Sequence, residues 1–254
     1  MSIVVTGGAG AIGTALVNAL AADRHPVRVL DLHAPESVPA GAEALRADIR
    51  DLAALTSALS GATAVVHLAG IPQEAPFPDL CEHNILGTYH VLEAARRAGV
   101  TRVVLASSHH TVGFHPVDRS LTPQDAPAPD TFYAVSKLAG EHLGYLYAHK
   151  HGLEVVAVRI GSFREHPTEP RHRHTWLSPR DATALLHSAA TAPLADPYTV
   201  LYGISANTAR WWPDTGWDTI GYRPQDDAAA HPAPGPLTDR WQGGGFAEHP
   251  GPQL

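Results

Sequence analysis

Cysteine is nearly absent: Cys81 is the one thiol in 254 residues, so no intrachain disulfide can form and a reducing, cytoplasmic setting is expected. Long apolar runs are missing too. None approaches the ~18–20 residues of a membrane span, so no membrane partner is expected. Cations are few and unclustered; 18 of them against 25 acids leave a formal charge of −7, which disfavours a nucleic-acid partner. Glycine and proline, 22 each, stay below the ~25–30% typical of low-complexity chains. Lysine is scarcest among the cations: only Lys137 and Lys150 accompany sixteen arginines. A lysine inside a motif is therefore seldom accidental. No cationic leader precedes the first apolar run, so no secretory leader is expected.

Short apolar runs alternate with longer helical patterns over the first two thirds, the signature of βαβ units. Strands are expected at 3–6, 27–31, 64–68, 102–107, 154–159 and 199–204. Helices are expected at 11–22 (Ile12, Leu16, Ala19 and Leu20 on one face), 51–59, 78–98, 130–151 and 178–191. Gly99 stands where a left-handed cap would end the third of these, and Ser178-Pro179 opens the last. Residues 35–41 and the polar stretch 162–176 read as loops. The tail from Asp226, with prolines at 232, 234, 236, 250 and 252, reads as irregular. The pattern predicts one α/β domain over 1–254, a doubly wound parallel sheet with helices on both faces and a reduced C-terminal lobe.

Gly7-x-x-Gly10-x-x-Gly13 follows the first strand and opens a helix. Glycine permits the tight turn and the close approach of a pyrophosphate, and the helix N-terminus offers N–H groups to it. Gly7, Gly10, Ala11, Ile12 and Gly13 are thus candidate dinucleotide contacts. No Gly-Lys-Ser/Thr follows, which excludes a P-loop. Asp31 ends the second strand, where a carboxylate accepts from ribose hydroxyls and repels a 2′-phosphate, so NAD is favoured over NADP. Asp48-Ile49 could meet adenine. Tyr133 and Lys137, four apart, share one helix face; a nearby ammonium should lower the phenol's pKa and favour phenolate as a base. Ser108 ends the fourth strand, within reach of the same reacting oxygen. His172 and His174 bracket Arg173, but without a third ligand no metal is expected.

These residues, with Leu68-Ala69-Gly70 and Asn84, resemble the extended short-chain dehydrogenase/reductase superfamily. Ser107-Ser108-His109-His110-Thr111-Val112-Gly113, Arg159-Ile160-Gly161-Ser162, Gly203-Ile204-Ser205-Ala206-Asn207, Trp211-Trp212 and Gln242-Gly243-Gly244 make the chain look more specifically like the uronate dehydrogenases. The resemblance covers nearly the whole sequence. It implies NAD-dependent oxidation of a cyclic sugar acid, D-galacturonate or D-glucuronate, at C1 to an aldaric acid lactone. It assigns Tyr133 as base, Ser108 and Lys137 as its partners, Leu32, Leu68, Ala69, Gly70 and Asn84 to the cofactor, and Arg171 to the sugar carboxylate. His110 and Ser162 would read ring hydroxyls. Substrate-binding elements would lie in 70–80, 162–177 and 203–254. Two sugar-facing positions depart from the family pattern: His109 stands for the usual asparagine and Pro72 for a serine. Other members of the superfamily, the nucleotide-sugar epimerases and dehydratases, are the alternative reading; a non-catalytic NAD sensor is a third. Helices 78–98 and 130–151 often form dimer faces in this superfamily, which leaves a homo-oligomer open.

Overall fold

The computed structural model describes residues 2–33, 35 and 37–248. Glu36 of the expected 35–41 loop, and Pro250 and Pro252 of the expected tail, lie outside the described residues. In chain order the elements begin with β1 (Ile3–Thr6), α1 (Ala11–Ala22), β2 (Val27–Asp31), β3 (Ala42–Arg46), α2 (Leu52–Ala58) and β4 (Ala64–His67). Then come α3 (Phe77–Leu80), a π-helical turn at Cys81–Leu86, α4 (Gly87–Ala98), β5 (Arg102–Ser108) and α5 (Phe132–His151). β6 (Glu154–Ile160), β7 (Ser162–Phe163), α6 (His172–Thr175), β8 (Trp176–Leu177), α7 (Pro179–Thr191), β9 (Tyr198–Gly203) and α8 (Gly245–Glu248) complete them.

Seven strands form one parallel sheet in the order β3-β2-β1-β4-β5-β6-β9. The order reverses between β1 and β4, and the crevice beyond the strand ends at such a point is where α/β sheets take ligands. Alternation along the strands decides which face each side chain covers. Ile3 and Val5 pack with Leu16, Val17 and Leu20 of α1 and with Leu185, Leu186 and Ala189 of α7. Val4, Leu30 and Val65 face the other way, onto Leu55 of α2, Val91 and Leu92 of α4 and Tyr147 of α5. The expected face of α1 is therefore rotated: Val17 is buried, while Ile12 is half-buried at the crevice.

Three further features differ from expectation. β3, where no strand was expected, pairs with β2 from Val27↔Ala42 to Asp31↔Arg46; it is a half-exposed edge strand whose alanines and glutamate carry no strand signal. The expected helix 78–98 is interrupted by the π-turn, which re-aims Asn84 inward. The 162–176 loop contains α6 and is closed by a two-stranded ribbon, β7 with β8.

Candidate active site

A cavity of about 900 Å³ opens along the crevice. Gly7 has φ +69°, and a Cβ there would come within 2.6 Å of the Ala69 nitrogen; one at Gly13 would come within 2.4 Å of the Gly7 oxygen. These close approaches bring the first turn of α1 against the ends of β1 and β4. Gly10, its N-cap, provides no side-chain acceptor, so first-turn N–H groups remain available to an anion. Asp31 accepts from Ala9 N (3.1 Å) and His33 N (3.2 Å), which fixes its carboxylate beside the turn. Asp48 is chelated by Arg50, which holds its carboxyl below the usual range. Arg50 lines the cavity yet is also paired to Glu82 at 2.6 Å, so its charge is spent on carboxylates. Leu32, Ile49, Leu68, Ala69 and Gly70 complete this wall. The residues present fit a dinucleotide: a glycine-lined anion seat, and a carboxylate held for vicinal hydroxyls.

Asn84 is the exception among the expected cofactor residues, since it does not line the cavity. It is buried: Oδ1 accepts from Ile71 N (2.8 Å), and Nδ2 donates to Ile71 O (3.1 Å) and Ser136 Oγ (2.9 Å). It ties the 70–73 wall to α5.

Ser108, Tyr133 and Lys137 line the same cavity. Thr131 caps α5 through Ala134 N (3.0 Å), and the Glu74 carboxylate accepts from Phe132 N (3.2 Å) and Tyr133 N (2.8 Å). Lys137 Nζ sits 5.4 Å from the centre of the Tyr133 ring. Burial pushes the Tyr133 phenol up to about 12; the Ser108 hydroxyl opposes that rise and the Asp130 charge adds to it. The expected lowering by Lys137 is not found: desolvation dominates, and only the Ser108 hydroxyl acts against it. Burial also pushes Lys137 down to about 8. His67, behind the site, is held neutral at about 3 by burial and then by Lys137.

At the far end, Arg171 is nearly enclosed, its side chain 12% exposed. Nε donates to Glu169 Oε2 (3.1 Å), and Nη1 to His109 Nε2 (3.4 Å) and Gly243 O (3.3 Å). His109 Nδ1 faces Ile160 O at 3.0 Å. His110 Nδ1 bonds the Asp130 carboxylate at 2.7 Å, and Asp130 is fully covered. Ser162, at the cavity wall, shares a 2.9 Å bond with Thr175; Pro72 also lines the cavity. Among the described residues no group of three metal-ligating side chains occurs; His172 Nδ1 instead accepts from Thr168 N and Glu169 N, organising the Arg171 loop.

Several residues of the site escaped sequence reasoning. Arg50 and Gln73 lack any motif. Phe246, whose ring lies 4.8 Å from His110, arrives with the C-terminal segment. Fully buried Gln242 anchors that segment: Oε1 accepts from Trp212 Nε1 (2.8 Å), and Nε2 donates to Pro116 O (3.1 Å) and Arg119 O (2.6 Å). The available signal was Trp-Trp together with Gln-Gly-Gly.

Residues 3–180 match the model of the NAD dependent epimerase/dehydratase family. The uronate dehydrogenase of Agrobacterium fabrum is 36% identical over 98% of this chain and 97% of its own. The L-arabinose 1-dehydrogenase (NAD(P)(+)) of Haloferax volcanii is 38% identical over 89% and 97%. A crystal structure of the Agrobacterium tumefaciens uronate dehydrogenase, a tyrosine-to-alanine mutant complexed with NAD, superposes with a TM-score of 0.90 at 36% identity, covering 98% and 97% of the two chains.

Proposed function

The chain belongs to the NAD dependent epimerase/dehydratase family, and from its likeness to the uronate dehydrogenases we propose that it oxidises D-galacturonate or D-glucuronate at C1 to the aldaric acid lactone, using NAD in the cytoplasm. One observation carries the reading: Ser108, Tyr133 and Lys137 share a cavity with Arg171, which lines it together with Arg50 and Arg164 and is the one whose side chain is 12% exposed and bonded to His109. Gly7 to Gly13, Asp31 and the 68–70 wall would hold NAD, which when bound supplies the hydride acceptor for C1. Ser108 holds the C1 hydroxyl and Tyr133 takes its proton. A phenolate so deeply buried needs a positive neighbour, and Lys137, at about 8, still carries its proton at neutral pH. Arg171 binds the carboxylate of the sugar, while His110 and Ser162 contact ring hydroxyls. Exposed Tyr89 on α4 and Val135, Tyr145 and Leu146 on α5 support a homo-oligomer through these helices, which light scattering measures.

Mixing the protein with NAD and either uronate tests the reading, with NADH absorbance expected to rise. A nucleotide-sugar epimerase would accumulate none. An aldose dehydrogenase, the reading the arabinose enzyme favours, would instead prefer L-arabinose.

A further inference from the structure

His109 and His110 stand side by side, ring centres 4.2 Å apart, yet their surroundings give them different work. A ring nitrogen facing a carbonyl must carry hydrogen, so the 3.0 Å contact with Ile160 O makes His109 Nδ1 the donor. In the neutral ring Nε2 is then an acceptor. Burial holds the His109 pKa well below the ordinary value, with His110 and Arg171 adding to that, so the ring is neutral at working pH. The acceptor meets Arg171 Nη1 at 3.4 Å. Trp212, its ring 5.5 Å away, backs the imidazole. Arg171 has its remaining Nη1 hydrogen on Gly243 O and its Nε on Glu169. Nη2 has no acceptor among the described residues.

We infer that His109 is a positioning residue: its Nε2 fixes the plane of the Arg171 guanidinium so that Nη2 is presented to the substrate carboxylate, and in this chain it thereby strengthens the preference for acidic over neutral sugars. This departs from the expectation that His109 reads the sugar itself. The inference rests on the uronate reading for its substrate, but not for its geometry.

Two substitutions separate the ring nitrogens. His109→Asn keeps a donor for Ile160 O and falls short of Arg171; His109→Gln carries an acceptor out to where Nε2 stood. The ratio of kcat/KM for glucuronate to that for glucose is expected to fall about tenfold in His109→Asn, the scale of a lost bond to a charged group. His109→Gln should restore most of it. In an Arg171→Ala background His109→Asn should no longer move the ratio. Equal losses on both sugars, or an undiminished effect without Arg171, would overturn the inference, because a merely structural role acts that way. Nitrogen NMR of the protein without sugar supplies a second readout. Distinct Arg171 Nη1 and Nη2 signals are expected in the parent and in His109→Gln, and merged ones in His109→Asn. Signals that ignore both substitutions also overturn it. If the NMR outcome holds while Arg171→Ala leaves the sugar ratio unmoved, the uronate reading has failed and the positioning has not.

Discussion

At the glycine-turn end the cavity wall comes from Gly7, residues 9–13, 31–33 and 68–70, at or just beyond the ends of β1, β2 and β4. At the arginine end it comes from Pro72, His109, Ser162, Arg171 and Phe246, carried on the segment after β4, the turn after β5, the short strand β7, the start of α6 and the C-terminal segment. The first wall is held by strand register and backbone contact; the second is held by side chains bonding to one another across long stretches of sequence. A parallel sheet builds a nucleotide seat nearly by itself, whereas selection of the second substrate needs partners recruited from the whole chain.

Substitutions at the two ends should therefore have separable effects, and Tyr133, which stands between them, should have the largest. Tyr133→Phe is expected to lower kcat by roughly 10²–10⁴-fold while NAD still binds by calorimetry nearly as before. Retained turnover would remove the phenol from its role. Arg171→Ala should raise KM for the uronate by about 10–100-fold, the scale of a charged hydrogen bond, and KM for NAD far less. Equal rises would mean that the two ends are not independent. Asp31→Ala, the mirror experiment, should weaken NAD by about tenfold and narrow its advantage over NADP, with the uronate KM little moved. Gln242→Ala leaves Trp212 Nε1 and two carbonyls unpaired in the interior; about 1–3 kcal/mol should be lost. That corresponds to a Tm lower by ~2–4 °C per kcal/mol, with damage falling on the uronate KM.

Acid stability is a separate test, independent of either end of the cavity. His67, at about 3, and His172, at about 4, are neutral in the fold but protonate near their ordinary value of 6.5 when unfolded. Both values are depressed, so the stability they contribute is intact above about pH 6.5 and is lost as pH falls toward 3–4. Thermal melts between about pH 7.5 and about pH 5 should show Tm falling with acid. His67→Gln should flatten part of that slope; an unchanged slope would exclude His67 as a cause.

The same division explains what could be read beforehand. The glycine turn, Asp31 and the Tyr133/Lys137 pair are local signals, in which spacing along one strand or helix fixes where the groups point. β3 was missed because Ala-Glu-Ala-Leu-Arg becomes a strand only by pairing with β2. The inward aim of Asn84 depends on a π-turn that helical periodicity does not reveal. Glu74 acts on a helix start nearly sixty residues away, and the bond between Arg171 and His109 spans sixty-two positions. Arg171 itself rested on resemblance, since nothing in its neighbourhood separates it from Arg164 or Arg173. The phenol's upward shift was missed for a related reason: pair spacing reports the ammonium but not the depth of burial.

Gln242 gives the molecule an order of completion during translation. The last strand of the large sheet ends roughly forty residues before it, so under the proposed reading a nascent chain would complete its nucleotide seat before its substrate floor. A polypeptide stopped at Arg240 would be expected to emerge as a competent NAD binder lacking the keystone over its sugar chamber, and harvests of such shortened product should titrate with cofactor while turning over poorly.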